Sequence, residues 1–157
     1  MWGEDKMNRE IAFRGKRVDN DEWVYGSLVS LADKHLIAVP TETNNFSTYV
    51  SFKVASPTIG QFTEHYDRNG KEIYEGDIIN LINEDGDSIN VVCEFGTARR
   101  KIFQNTVDIT GFYFKLSDGK KTFPIVCNYL GEHDLDLFEV IGNIHENPEL
   151  LEVYENG

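Results

Sequence analysis

The 157-residue sequence predicts an all-β fold, on three observations. Aromatic residues make up 12% of the chain, with ten Phe and seven Tyr, and such side chains favour strands. Short apolar runs of strand length recur from Ile11 to Ile144, several of them alternating with polar residues. Turn dipeptides, above all Asn69-Gly70 and Asp118-Gly119, separate these runs. The length suits one domain, or one domain with a small appendage.

Taken in order, residues 1–7 read as a flexible lead. Ile11-Ala12-Phe13-Arg14 is strand-like, Asp19-Asn20-Asp21-Glu22 is a polar turn, and Trp23 to Val29 is the return strand, with Trp23, Tyr25 and Ser27 on one side. Leu36 to Val39 is a short strand stopped by Pro40, and Thr41 to Thr48 is polar enough to be a loop. Tyr49 to Val54 alternates again until Ser56-Pro57 breaks it.

From Ile59 to Ile79 the chain packs two turns into a short space. Asn69-Gly70 reads as a hairpin turn whose residues both tolerate positive φ. Glu75-Gly76-Asp77 reads as a second turn, with Gly76 where a type II turn needs positive φ and Asp77 as its cap. Ile78 to Ile82 then has the length and apolarity of a core strand.

Asn83 to Asp87 is a hairpin connection. Its acidic residues lack the later Glu and flanking helices of a calcium loop. Ile89 to Phe95 is a strand with Ile89, Val91, Cys93 and Phe95 on one face. Thr97 to Thr106, which holds the basic cluster Arg99-Arg100-Lys101, reads as a solvated loop. Gly111 to Leu116 is a strand with Phe112, Phe114 and Leu116 inward. After Asp118-Gly119 the chain returns from Thr122 to Leu130, with Pro124 arguing for an edge or a bulge. Phe138 to Ile144 is the last strand. A short helix follows, with Asn147 as N-cap, Pro148 at its first position and Leu150, Leu151 and Val153 on its apolar side.

Composition excludes several functions. A formal charge of −12 repels phosphate backbones from the molecule as a whole, so a nucleic-acid role requires a local basic face. No apolar segment approaches the ~18 residues that would span a membrane, and no apolar leader precedes the strands, so cytoplasmic residence is the expectation. Cys93 and Cys127 sit in apolar runs and read as buried free thiols. No Cys/His spacing suggests zinc, and no nucleophile elbow or phosphate-binding loop is present. Candidate chemistry is limited to Arg99, Arg100 and Lys101 as a nucleic-acid contact, and to His133, Asp134 and His145 as the ligands of a metal-assisted hydrolase. No cofactor is expected.

The segments Ile59-Gly60-Gln61-Phe62-Thr63 and Asp67-Arg68-Asn69-Gly70-Lys71-Glu72-Ile73-Tyr74-Glu75-Gly76-Asp77-Ile78 resemble the YopX family of phage and prophage proteins. Ile11 to Gly15 resembles that family's opening strand, and Val140 to Leu151 its closing strand and helix. The signature positions are Gly60, Gln61, Asn69, Gly70, Tyr74, Gly76, Asp77, Gly142, Asn143, Asn147 and Pro148. One departure is clear: where the family usually carries Gly-Leu after its Gln-Tyr/Phe-Thr triplet, this chain has Glu64-His65-Tyr66. The resemblance implies an SH3-like barrel in the C-terminal part and oligomeric assembly, and it supplies no enzyme activity, cofactor or catalytic residue.

The expectation is therefore an all-β protein with an N-terminal β segment over residues 8–58. Residues 59–157 are expected to form a small SH3-like barrel with a short C-terminal helix, the two parts being either separate or one continuous domain. Its expected role is that of a non-enzymatic phage-type accessory protein. It would work as a homo-oligomer and through contacts with host or phage proteins.

Overall fold

The computed structural model describes residues 9–43, 46–82, 85–122 and 137–151. The chain is all-β and built on antiparallel sheets. It divides into two units between Glu64 and His65.

In the first unit, β1 (Phe13–Lys16), β2 (Trp23–Ser30), β3 (His35–Thr43) and β4 (Phe46–Val54) follow one another as antiparallel neighbours. A 3-10 turn (Ser56–Thr58) leads into β5 (Gly60–Tyr66), which returns to pair with β1 through Phe13↔Gln61 and Arg14↔Gly60. The order is thus β4-β3-β2-β1-β5. The far end of β4 also comes back to the end of β1. Arg17 bridges Val54, the Val18 N–H donates to the Lys53 carbonyl at 3.1 Å, and the Ala55 N–H donates to the Lys16 carbonyl at 2.8 Å. Ile37, Val54 and Phe62 are fully buried inside this curled sheet. Trp23 lies under the guanidinium of Arg14 (4.7 Å) and the ammonium of Lys16 (5.6 Å), cation–π contacts that hold it on the sheet.

Residues 41–48, expected as a loop, belong largely to β3 and β4, which pair from His35↔Val54 to Thr43↔Phe46. Pro40 does not end β3. β2 pairs with β3 only over His35 to Ala38, so Pro40 lies beyond the span where its missing N–H would be needed on that side.

In the second unit, β6 (Glu72–Tyr74), β7 (Asp77–Ile82), β8 (Ser88–Ile102), β9 (Asn105–Lys115), β10 (Lys121–Thr122) and β11 (Phe138–Asn143) precede a second 3-10 turn (Pro148–Leu151). Five of these strands form an antiparallel sheet in the order β10-β9-β8-β7-β11. Its core follows the two-residue strand period: Ile79 on β7, Val91 and Cys93 on β8, Phe112 and Phe114 on β9, Phe138 and Val140 on β11, with Ile73 of β6. Phe114 and Phe138 meet edge-to-face at 5.2 Å.

Three expectations for this unit need correction. The described residues form an open sheet here and close no SH3-like barrel. The C-terminal helix is, within the described residues, a four-residue 3-10 turn. Asn147 stands at its N-cap position, its carbonyl accepting the Leu150 N–H (3.1 Å), while its Oδ1 accepts the Asn143 N–H (3.4 Å). Ile89 and Phe95 keep the face of Val91 and Cys93, Phe95 meeting Phe112 edge-to-face at 5.1 Å, but at its margins they are about half exposed. Finally, residues 97–106 are not a loop: β8 and β9 pair without interruption from Val92↔Lys115 to Ile102↔Asn105. Cys93 is fully buried, while Cys127 and the run Phe123 to Leu130 lie outside the described residues.

Candidate functional site

The signature residues of the second unit converge on tight turns. Asp67 to Lys71 is a hairpin loop closed by Asp67 N–H to Lys71 carbonyl (2.8 Å) and Gly70 N–H to Asp67 carbonyl (2.9 Å). Only Gly70 of the Asn69-Gly70 pair has positive φ, +76°. The turn is therefore a type I turn followed by a left-handed glycine, rather than a two-residue turn with both residues at positive φ. Asp118-Gly119 repeats the arrangement, with Gly119 at φ +84° and its N–H on the Leu116 carbonyl.

Asp67 holds the first loop together. Its Oδ1 accepts the N–H groups of Asn69 (2.8 Å) and Lys71 (2.9 Å), and its Oδ2 accepts the Val140 N–H of β11 (2.9 Å). Burial pushes this carboxyl up, but the bonds from Val140, Lys71 and Asn69 and the charge of Lys71 outweigh it and hold the group below the usual carboxylate range. Arg68 pairs with Glu139 beside it.

Gly76 sits at φ +91°, donates its N–H to the Cys93 carbonyl (2.8 Å) and accepts the Ile144 N–H (2.9 Å). Asp77, fully buried, accepts the Tyr74 N–H at 2.7 Å and so ties the turn. Asn143 does the same after β11: its Oδ1 accepts the N–H groups of His145 and Glu146, both at 3.0 Å. Pro148 opens the second 3-10 turn. In the first unit, Gly60 and Gln61 are the β5 residues paired with β1. The signature is therefore a set of turn and pairing residues whose polar atoms are engaged in holding backbone.

A different kind of site lies along β8 and β9. Beyond Val92, β8 has no further pairing with β7, and β9 pairs with β10 only at Phe114 and Lys115. Residues 97–110 thus form a two-stranded ribbon turning at Phe103-Gln104. Arg99 pairs across it with Asp108 through Nε–Oδ1 (2.9 Å) and Nη2–Oδ2 (3.3 Å). That pairing raises the Arg99 pKa and lowers that of Asp108. Arg100 donates to the Lys121 carbonyl at 2.8 Å, and Lys101 stands opposite Thr106.

At the ribbon's root, Glu94 accepts from Tyr113 Oη (2.6 Å) and pairs with Lys115 Nζ (2.6 Å). The Lys121 ammonium lies 4.7 Å from the Tyr113 ring. Burial, followed by the bond to Glu94, pushes the Tyr113 hydroxyl up to about 12, so it stays protonated as a donor. Burial alone would raise Glu94, but Lys115 and Tyr113 hold it low. Lys120 and Lys121, which the sequence did not mark, complete the basic set. The available signal was the pair's position just after Asp118-Gly119, which returns the chain to β9.

Of His133, Asp134 and His145, only His145 is among the described residues, in the turn after β11. Among the described residues no group of three or more His, Cys, Asp or Glu is placed to hold a metal. No described helix is long and apolar enough to cross a membrane.

A family model described as YopX protein matches residues 12–152. The chain belongs to the YopX family. The fold of this YopX chain is similar to that in the crystal structure of protein EF1440 from Enterococcus faecalis, with a TM-score of 0.52 and 22% identity. That likeness covers 91% of this chain and 99% of EF1440. No curated protein matches the chain. The position where Glu64 replaces the family's usual glycine has φ +67°, so the backbone keeps a glycine-type conformation without a glycine.

Proposed function

We propose that this YopX-family chain is a non-enzymatic accessory protein of phage or prophage type that works by self-association and contacts with other proteins. The observation that carries this reading is the outer face of β2, β3 and β4. There Val29, Leu36, Ala38, Pro40 and Tyr49, interspersed with Ser27, Ser47, Thr48 and Ser51, line a shallow groove of about 600 Å³. Tyr49 is 68% exposed and Val29 37%. Apolar side chains left exposed together in a groove give another surface something to bury, and exposed tyrosine suits such contacts. The polar signature residues support the same reading, because they are occupied in maintaining turns.

The SH3-like part belongs, on this reading, to the first unit. Five short antiparallel strands, a 3-10 turn before β5, the return of β5 to β1, and the bridge from Arg17 to Val54 support a small barrel there. Its edge strand β4 and its outer face are the surfaces that assembly would cover.

Sedimentation velocity tests the proposal. At micromolar concentration the protein sediments as an oligomer, and Val29→Glu/Tyr49→Glu sediments as a monomer with an unchanged melting temperature. A monomeric wild-type chain refutes self-association. An oligomer untouched by the double substitution refutes the assignment to this face.

A further inference from the structure

The β8–β9 ribbon concentrates positive charge in a strongly acidic molecule. Residues Thr97–Thr110 hold three cations, Arg99, Arg100 and Lys101, against one carboxylate, Asp108, while the whole chain stands at −12. Lys120 and Lys121 flank the same place. A hollow of about 440 Å³ is lined by Thr97, Ala98, Arg99, Arg100, Lys120 and Lys121. Lys101 and Lys120 enter no ion pair among the described residues. This is the local basic face that the overall charge makes necessary for any phosphate contact.

The tip adds a second observation of a different kind. Phe103 is 94% exposed and has φ +54°. A bulky aromatic residue is disfavoured in that conformation and gains nothing from burial there. Ile102 beside it is 39% exposed. The two-residue turn between the paired Ile102 and Asn105 sets the positive φ, but packing within the chain does not account for the exposed ring.

From these two observations we infer that the ribbon is a contact for duplex DNA, with the cations of β8 and of Lys120-Lys121 on backbone phosphates and Phe103 at the base edges. A two-stranded antiparallel ribbon has the width that the groove of B-form DNA admits. In the major groove an apolar residue such as Phe at the tip meets the base edges through the thymine methyl group. A-form RNA, with its deep, narrow major groove, does not admit the ribbon. The contact uses none of the residues of the protein-contact face of β2 to β4, so each can fail without the other.

Fluorescence anisotropy of the full chain with a labelled 30-base-pair mixed-sequence DNA duplex tests the assignment, with an RNA duplex of the same sequence as the second arm. About four phosphate contacts give a log–log salt slope near −3.6, hence roughly 100-fold weaker binding at 200 mM than at 50 mM salt. Lys101→Glu/Lys120→Glu is expected to weaken DNA binding at least about tenfold with an unchanged melting temperature, because both side chains are exposed. Phe103→Ala is expected to lower affinity while leaving the salt slope in place. The assignment is overturned by the absence of a salt-dependent DNA complex at 50 mM salt, by RNA binding as tight as DNA binding, or by wild-type affinity in the double variant.

Discussion

Replacing Asp67 by Asn exchanges one carboxylate oxygen for an NH₂ group and should cost about 2 kcal/mol. The carboxylate spends Oδ1 on the Asn69 and Lys71 N–H groups and Oδ2 on the Val140 N–H. An amide keeps one acceptor. It can serve the hairpin loop with its oxygen, but its NH₂ then faces the Val140 N–H, donor against donor. A hydrogen bond to a charged group contributes about 1.5–3 kcal/mol, and an orphaned buried donor costs about 1–3 kcal/mol. Asp67→Ala removes all three bonds and should cost about 4 kcal/mol.

Acid provides the check on cause. The folded carboxyl titrates below its ordinary value, so its contribution is complete above the unfolded value and is lost as pH falls through the lower folded one. Urea unfolding of wild type and Asp67→Asn should therefore show the full gap at pH 7 and a shrinking gap below about pH 4. Equal stability at pH 7, or a gap that stays constant down to pH 3, refutes the argument.

Three further outcomes follow from the same geometry. Glu64→Gly relieves the positive φ at that position and gives up one exposed ion pair with Arg9. Non-glycine left-handed strain is worth about 1–2 kcal/mol and the added chain entropy of glycine about half of it, so thermal melting should show a gain of several tenths of a kcal/mol or more. Gly142→Ala places a Cβ 2.5 Å from Asn147 Oδ1 and 2.8 Å from its Cγ. It should lower stability by about 2 kcal/mol in denaturant titration. Ile79→Ala empties a fully buried position of the second core and should cost about 3 kcal/mol, read as a lower urea midpoint with an unchanged slope.

The turns and the core strands were legible in the sequence because each carries a local signal. Gly76 and Gly70 stand where the chain needs positive φ, and Val91, Cys93, Phe112 and Phe114 keep the two-residue period. The ribbon was illegible for a physical reason. Between Thr97 and Asp108 only Ala98 is buried, in a small cluster with Tyr113 and Ile109, so the apolar period fades while the backbone pairing continues. Arg99-Arg100-Lys101 therefore looked like a loop. Thr41 to Thr48 was hidden in the same way, by polar residues on a solvated hairpin. The role of Asp67 was missed because its third bond reaches Val140, 73 residues away, and no local pattern records such a partner. The basic face was visible only as three residues, since Lys120 and Lys121 join them through strand pairing rather than through sequence.

The fifteen residues of β8 run from one environment into another. Val91 and Cys93 lie in the packed centre, whereas Thr97 to Ile102 hang on a single neighbour. Amide exchange along this one strand should therefore be graded. Protons near Cys93 exchange only when the whole unit opens, and those near the tip exchange through local fraying of the ribbon. A single secondary-structure element would thus report two opening free energies, with the change between them falling where β7 stops pairing.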